Sequence, residues 1–355
     1  MTQEDFYISG IQQVGIGNPS VADTWRYYRR NFGFDVPVFE EEAVADLMLP
    51  YTGGEPQKRN ATLTLNMNGG GGLEIWQYTD RTLLWPKEPA RPGDLGITTL
   101  KIKTRDVARA YADCESKGLD IIGTIQQRDG KNSHFLVRDL HGNAVEITAS
   151  QSWFQSQGGL YGGVAGAALG VTDLDASQEF YHKLLGFDTV VYEEEGTFSE
   201  LTAWTGVEQR FRRMVLERST AYQGPFAPLL GPAQMELIQA LDYAPVKLYE
   251  DRFWGDPGYI HLCFDVQGMA HLQKRCESLG HPFTVDSANS FDMGEAAGRF
   301  AYIEDPDGTL LEFVETHKVP IMKKWNWYLN LQKRDPKKPL PRLMIKAMGL
   351  NRVKD

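Results

Sequence analysis

Four glutamates stand inside short apolar stretches: Glu74 in Leu73-Glu74-Ile75-Trp76, Glu146 in Ala144-Val145-Glu146-Ile147, Glu236 in Met235-Glu236-Leu237-Ile238 and Glu312 in Leu310-Leu311-Glu312-Phe313. A carboxylate on a strand that otherwise faces a core costs several kcal/mol unless it is paired. A divalent cation would neutralise two of them. The alternatives are a solvated rim, or ion pairs with arginines such as Arg212 and Arg213. A further segment, Ile260–Val266, alternates apolar residues with His261, Cys263 and Asp265, placing an imidazole, a thiol and a carboxylate on one face. Cys263 reads as a small buried thiol. His134, His141, His182, His271, His281 and His317 fall at hairpin, helix or loop positions and read as surface residues.

Other chemistries find little support. The chain has three cysteines, Cys114, Cys263 and Cys276, without C-x-x-C spacing, which argues against a disulfide framework or a Cys-rich zinc site. The run Gly69–Gly72 precedes a strand and lacks a following Gly-Lys-Ser/Thr, so it is a turn and not a phosphate cradle. Gly15-x-Gly17 lacks the third glycine and acidic partner of a dinucleotide fingerprint, and no nucleophile elbow is present.

The elements that must position these residues repeat along the chain. Gln13 to Gly33 and Gly166 to Gly186 are each 20 residues apart, and each glycine lies in a Gly-Phe-Asp ending. Thr99 to Gly118 and His261 to Gly280 are each 19 apart, and four residues separate Gly142 from Glu146 and Gly308 from Glu312. The two halves are duplicates, each of two related modules. Every module opens with an alternating strand, continues with a helix and closes with short strands, in the order βαβββ. In the third module Asp175 is the expected helix cap, Phe180, Leu184 and Leu185 share a face, and Gly186 ends the helix.

The chain has 355 residues, with 37 Lys/Arg against 47 Asp/Glu and a net charge of −10. Two domains are expected from that length: 1–155 with modules at about 8–80 and 94–150, and 156–318 with modules at about 162–242 and 256–316. Residues 319–355 form a basic extension expected to pack on the body. From Lys318 onward there are eleven Lys/Arg and two Asp, which leaves 26 basic against 45 acidic residues elsewhere. Such an acidic body repels nucleic acid and anionic membranes. No apolar run reaches the length of a spanning helix, and MTQEDFYISG has no signal-peptide core. The expectation is a cytoplasmic monomer or homodimer whose partner is a small-molecule substrate, with no nucleic acid and no membrane.

In these residues the chain resembles the vicinal oxygen chelate superfamily, which includes glyoxalase I, methylmalonyl-CoA epimerase, extradiol dioxygenases and bleomycin-resistance proteins. The resemblance covers about residues 8–318. It rests most on Leu185-Gly186-Phe187 and on Asp305-Pro306-Asp307-Gly308 with Glu312 four residues on. It implies an α+β fold in which four βαβββ modules pair into two cup-shaped eight-stranded mixed sheets, followed here by the basic tail. It further implies metal-ligand positions in mid first strand (Gln13, Thr99, Gly166, His261), of which Gln13 and His261 can coordinate while Gly166 offers no side chain and Thr99 is an unusual ligand, and in the last strand (Glu74, Glu146, Glu236, Glu312). If sequential modules share a cup, Glu236, His261 and Glu312 meet, with Gly166 leaving a position open. If the outer modules share one, the set is Gln13, Glu74, His261 and Glu312, as expected of a glyoxalase I, and the inner cup is inert. Both arrangements stay open, and both contain His261 and Glu312.

The implied cofactor is one divalent metal ion, and carboxylates with an imidazole suit Zn, Mn, Ni, Co or Fe. Such an ion binds two adjacent substrate oxygens and stabilises the enediolate formed when an α-proton leaves, with Glu312 as base. The expected function is therefore a glyoxalase-like isomerase or lyase. One alternative is an Fe(II) extradiol-type ring-cleavage dioxygenase, although Gly166 stands where its first histidine belongs. Another is a non-catalytic protein sequestering an apolar compound against Glu74, Trp76 and Tyr78. Phe291 and Met293, between strands of the fourth module where a lid is expected, are expected to line the substrate pocket with Trp76.

Overall fold

The computed structural model describes residues 6–128, 132–288, 291–292, 297–322 and 327–354. The first module is β1 (Tyr7–Gly17), α1 (Val21–Phe32), β2 (Val36–Ala45), β3 (Gln57–Leu65) and β4 (Gly72–Tyr78). The second is β5 (Gly96–Thr104), α2 (Val107–Ser116), β6 (Asp120–Arg128), β7 (Asn132–Arg138) and β8 (Ala144–Ala149). The third is β9 (Tyr161–Gly170), α3 (Leu174–Leu185), β10 (Thr189–Thr197), α4 (Ser199–Thr205), β11 (Arg210–Glu217), α5 (Ala227–Leu230) and β12 (Gln234–Ala240). The fourth runs β13 (Gly258–Gln267), α6 (Met269–Ser278), β14 (Val285–Asp286), β15 (Phe291–Asp292), β16 (Ala297–Glu304) and β17 (Leu310–Met322). After it come β18 (Trp327–Asn330) and α7 (Arg342–Ala347).

Local chemistry sets the helix ends. Ser20 caps α1 by accepting from the Asp23 N–H, and Gly33 and Gly186 close α1 and α3 at φ of 76° and 73°, a region that favours glycine. The cap of α3 is Asp173, not Asp175. Its carboxylate accepts from the N–H groups of Asp175 and Ala176, each at 3.0 Å, whereas Asp175 reaches sideways to Arg212 at 2.8 Å.

One sheet has the order β14-β16-β17-β13-β1-β4-β3-β2, the other β10-β11-β12-β9-β5-β8-β7-β6. Antiparallel pairing of β1 with β13 joins modules one and four, and pairing of β5 with β9 joins two and three. The outer modules therefore share one curled sheet and the inner modules the other. A division at residue 155 separates sequence duplicates, not sheets.

Strand alternation splits each sheet into two faces. Val14, Ile16, Leu73, Ile75, Leu262, Phe264, Leu311 and Phe313 join the main core with Tyr28, Phe32, Tyr181 and Leu272 of the helices. The alternate positions carry Gln13, Glu74, His261 and Glu312. Consecutive modules stay tied although they belong to different sheets: the Tyr28 hydroxyl donates to Asp139 at 2.8 Å, and that of Tyr181 to Asp305 at 2.7 Å.

The described part of the C-terminal segment lies on the outer sheet. Leu331, Leu340, Ile345 and Met348 are buried with Val36, Leu65, Met67 and Phe226; a fully buried side chain of this size contributes roughly 1.5–3 kcal/mol. The Leu340 N–H donates to the Pro225 carbonyl (2.9 Å), the Val353 N–H to that of Asp35 (2.8 Å), and Arg352 pairs with Asp35 at 3.0 Å. No helix among the described residues is long and apolar enough to cross a membrane.

Candidate metal centre

The four central strands of the outer sheet, β17-β13-β1-β4, converge on one point. β4 runs parallel to β1 with Glu74 opposite Gly15, β17 runs parallel to β13 with Glu312 opposite Cys263, and Gln13 faces Cys263 across the β1–β13 seam. This register carries Glu74 and Glu312 to either side of His261. The imidazole Nε2 lies 3.2 Å from Glu74 Oε2 and 3.1 Å from Glu312 Oε2, and the Gln13 amide donates to Glu312 Oε2 at 3.2 Å. One donor atom from each of Glu74, His261 and Glu312 lies within 4.8 Å of the others.

Packing holds the imidazole in place. Trp254 stacks on it with ring centroids 6.1 Å apart and planes 14° from parallel, and Tyr302 meets it edge-on with its hydroxyl 3.5 Å from Nδ1. Gly15 makes the room: a Cβ there would lie 2.5 Å from His261 Cε1. A register shift between Ile11 and Gln13 explains how two consecutive residues, Gln12 and Gln13, both line the same cavity.

Burial by itself would lower the His261 pKa, but Glu312 and Glu74 overcome it and raise the group to about 9. Burial, with Glu312 and Glu74 beside it, pushes the Cys263 thiol well up, so the thiol is neutral. Gln13 Oε1 is buried without a hydrogen-bond partner, while His261 Nε2 faces only the carboxylate oxygens of Glu74 and Glu312. Two carboxylates, an imidazole nitrogen and an amide oxygen around one point fit a divalent cation of the hard-to-borderline kind, which would replace the imidazole proton between the two carboxylates.

The inner sheet meets the same problem differently. Thr99, Glu146, Gly166 and Glu236 occupy the equivalent positions, and Lys101 stands opposite Glu146 where Gly15 stands opposite Glu74. The fully buried Lys101 ammonium lies 2.9 Å from Glu146 and 2.6 Å from Glu236, and so takes the place of a metal. Arg128 contacts both carboxylates (3.1 and 3.2 Å), and Arg213 bridges Glu236 and Glu200, each at 2.6 Å. Burial would raise Glu146 and Glu236, but Arg128 with Lys101, and for Glu236 also Arg213, hold both well below the usual carboxylate range.

Glu236, expected beside His261 had sequential modules paired, is thus remote from it and neutralised in the other sheet. Of the expected ligands, Gln13, Glu74, His261 and Glu312 come together. Of the expected arginine partners, Arg213 reaches Glu236, while Arg212 pairs with Asp175 and Glu193. His134, expected at the surface, is buried 3.6 Å from Glu200. Alternation along Ile97–Lys101 could have flagged Lys101 as a cation on the face of Thr99.

A cavity of about 520 Å³ opens on the outer site. Gln13, Glu74, Trp76, Trp254, Tyr302 and Glu312 line it beside Phe39, Leu63, Leu65, Phe226, Leu229, Leu230, Phe300, Val319 and Met348. Trp76, expected to line the substrate pocket, forms part of the wall of this cavity. Phe291 belongs to a short strand paired with β16, and Met293 lies outside the described residues.

The family model of the Glyoxalase/Bleomycin resistance protein/Dioxygenase superfamily matches residues 10–147 and 163–313, and the chain belongs to this superfamily. Glyoxalase I from Zea mays is similar in structure, with 15% identity, a TM-score of 0.53, and coverage of 88% of this chain and 92% of that one. A dioxygenase-like protein from Bacillus subtilis is similar at 14% identity and a TM-score of 0.55, covering 87% and 86% of the two chains. At these identities the likeness is one of fold. No sequence among the curated proteins matches.

Proposed function

We propose that the chain is a metal-dependent isomerase or lyase of the glyoxalase type, removing a proton next to a chelated carbonyl of a small substrate. The observation that carries this reading is the buried Glu74–His261–Glu312 set, with the unpartnered carbonyl oxygen of Gln13 beside it, opening on an apolar cavity. Gln13, Glu74, His261 and Glu312 would hold the ion, whose chemistry is that of a Lewis acid polarising a substrate carbonyl. Zn, Mn, Ni, Co and Fe all suit these donors.

The chain's own residues do the rest. Glu312 borders the cavity and is the base; the Gln13 amide, donating to one of its oxygens, orients the carboxylate. Trp254 and Tyr302 fix the imidazole. An extradiol-type ring cleavage is the weaker reading, because that chemistry uses two histidines and one carboxylate, and this donor set has one histidine.

Metal content by ICP-MS, on wild type beside His261→Ala and Glu312→Ala, tests the proposal. The expected result is near-stoichiometric metal in the wild type and loss in both variants. Wild-type protein that stays metal-free after supplementation would sink the catalytic reading in favour of a binding protein.

A further inference from the structure

The cavity is larger than a small carbonyl compound needs, and its shape is readable along β17. Glu312, Val314, Thr316 and Val319 of that strand all line it. The seven steps from Glu312 to Val319 correspond to about 23 Å of extended chain. At the Val319 end the wall comes from outside the outer modules: Phe226, Leu229 and Leu230 from the third module and Met348 from the C-terminal segment, all in one buried cluster with Val319. The other end reaches solvent at Val44 and Leu47, which are 50% and 40% exposed. The metal set lies between the two, so a bound molecule has space for an apolar arm beyond its reacting atoms.

The charges of the wall select against anions. Among the described residues, Glu41, Asp46, Glu74 and Glu312 line the cavity against one cation, Arg59. That guanidinium is already engaged, 2.6 Å from Glu41 and 4.6 Å above the Trp76 ring. With a divalent ion bound, these five side chains still leave one net negative charge.

We infer that the ligand is a neutral, largely apolar molecule with an extended arm, and that Leu230, Val319 and Met348 set how long that arm can be. The inference rests on the reading that Gln13, Glu74, His261 and Glu312 hold the reacting end. Burial of each additional methylene tightens binding about fourfold until the arm fills the space.

The test is calorimetric titration of metal-loaded protein with alkane-2,3-diones from butane-2,3-dione to dodecane-2,3-dione, with 10,11-dioxododecanoate as the anionic counterpart. Affinity is expected to rise about fourfold per methylene before levelling, and the carboxylate is expected to bind at least about 100-fold more weakly than dodecane-2,3-dione. In Met348→Trp and Leu230→Trp the rise is expected to stop at a shorter chain, with melting temperature and metal content as in wild type. A variant that melts early is replaced by Val319→Phe, which narrows the same end. Affinity independent of chain length, equal binding of the carboxylate, or an unchanged profile in the variants would overturn the inference. Repeating the series on metal-stripped protein separates the two claims. A chain-length dependence that persists in a protein unable to take up metal keeps the arm and removes the reaction; stoichiometric metal with a flat profile does the reverse.

Discussion

Replacing Gly15 with alanine tests how the site is built. The new Cβ would lie 2.5, 2.7 and 2.8 Å from Cε1, Nδ1 and Nε2 of His261, whereas ordinary contact begins at 3.4 Å, so the ring has to retreat by about 0.9 Å. Trp254 and Tyr302 already pack against that ring, which makes retreat costly. Overpacking of this kind costs about 1–3 kcal/mol. A displacement near 1 Å also exceeds the roughly 0.2 Å tolerance of a metal–ligand distance, so metal affinity is expected to fall at least 10–100-fold. Competition against a chromophoric chelator measures the affinity and urea unfolding the stability. Gly196→Ala, where a Cβ meets nothing within 4 Å, serves as the neutral control. The double variant is decisive. In a His261→Ala background the Cβ added by Gly15→Ala enters vacated space, so its destabilisation should fall to near zero. An additive penalty in the double variant, or wild-type metal affinity in Gly15→Ala, would show that Gly15 does not make room for the imidazole.

In the inner sheet, Lys101→Met leaves Glu146, Glu236 and Glu200 facing two arginines. The uncompensated buried charge should cost about 3–5 kcal/mol in urea unfolding while the metal content of the outer site stays at the wild-type level; a loss below about 1 kcal/mol would contradict the role assigned to the ammonium. Acid stability should report the same cluster. Burial would raise Glu200, but hydrogen bonding to His134 and the Arg213 charge bring it down from an ordinary 4.5 to about 2. A depressed carboxylate contributes its full stability above the unfolded value and loses it as pH falls through the folded one. The stability difference between wild type and Glu200→Gln is thus expected to be constant above about pH 5 and to shrink between about pH 4.5 and pH 2; an equal difference at pH 2.5 and pH 7 would remove the coupling.

Much of the architecture was legible because it is written in local rules. Glycines that must end helices, alternation that must split a strand into two faces, and hairpins that need glycine recur at fixed offsets, so four modules and their strands could be drawn from the chain alone. His261 and Glu312 were legible for the same reason: every other module carries a glutamate at the position of Glu312, and two of the other three carry a polar residue, Gln13 or Thr99, at that of His261. The cap of α3 was misplaced by two residues because Asp173 and Asp175 are both plausible from spacing, and only the sideways reach of Arg212 to Asp175 separates them.

The tertiary structure decided which modules meet. Every first strand presents a similar edge, so sequence periodicity favours no partner, and the pairing of β1 with β13 is a long-range choice. That choice brings Glu74 to His261 and sends Glu236 to the inner sheet. It also decides the fate of chemically alike glutamates. Beside Glu74 the facing strand carries Gly15, whose missing side chain admits the His261 imidazole, and beside Glu312 it carries the small Cys263; beside Glu146 the facing strand carries Lys101, whose own ammonium reaches the carboxylates. The carboxylates are set by the sequence, but whether a metal or an ammonium can answer their charge depends on the volume of the residue across the strand, and that is a property of the folded sheet.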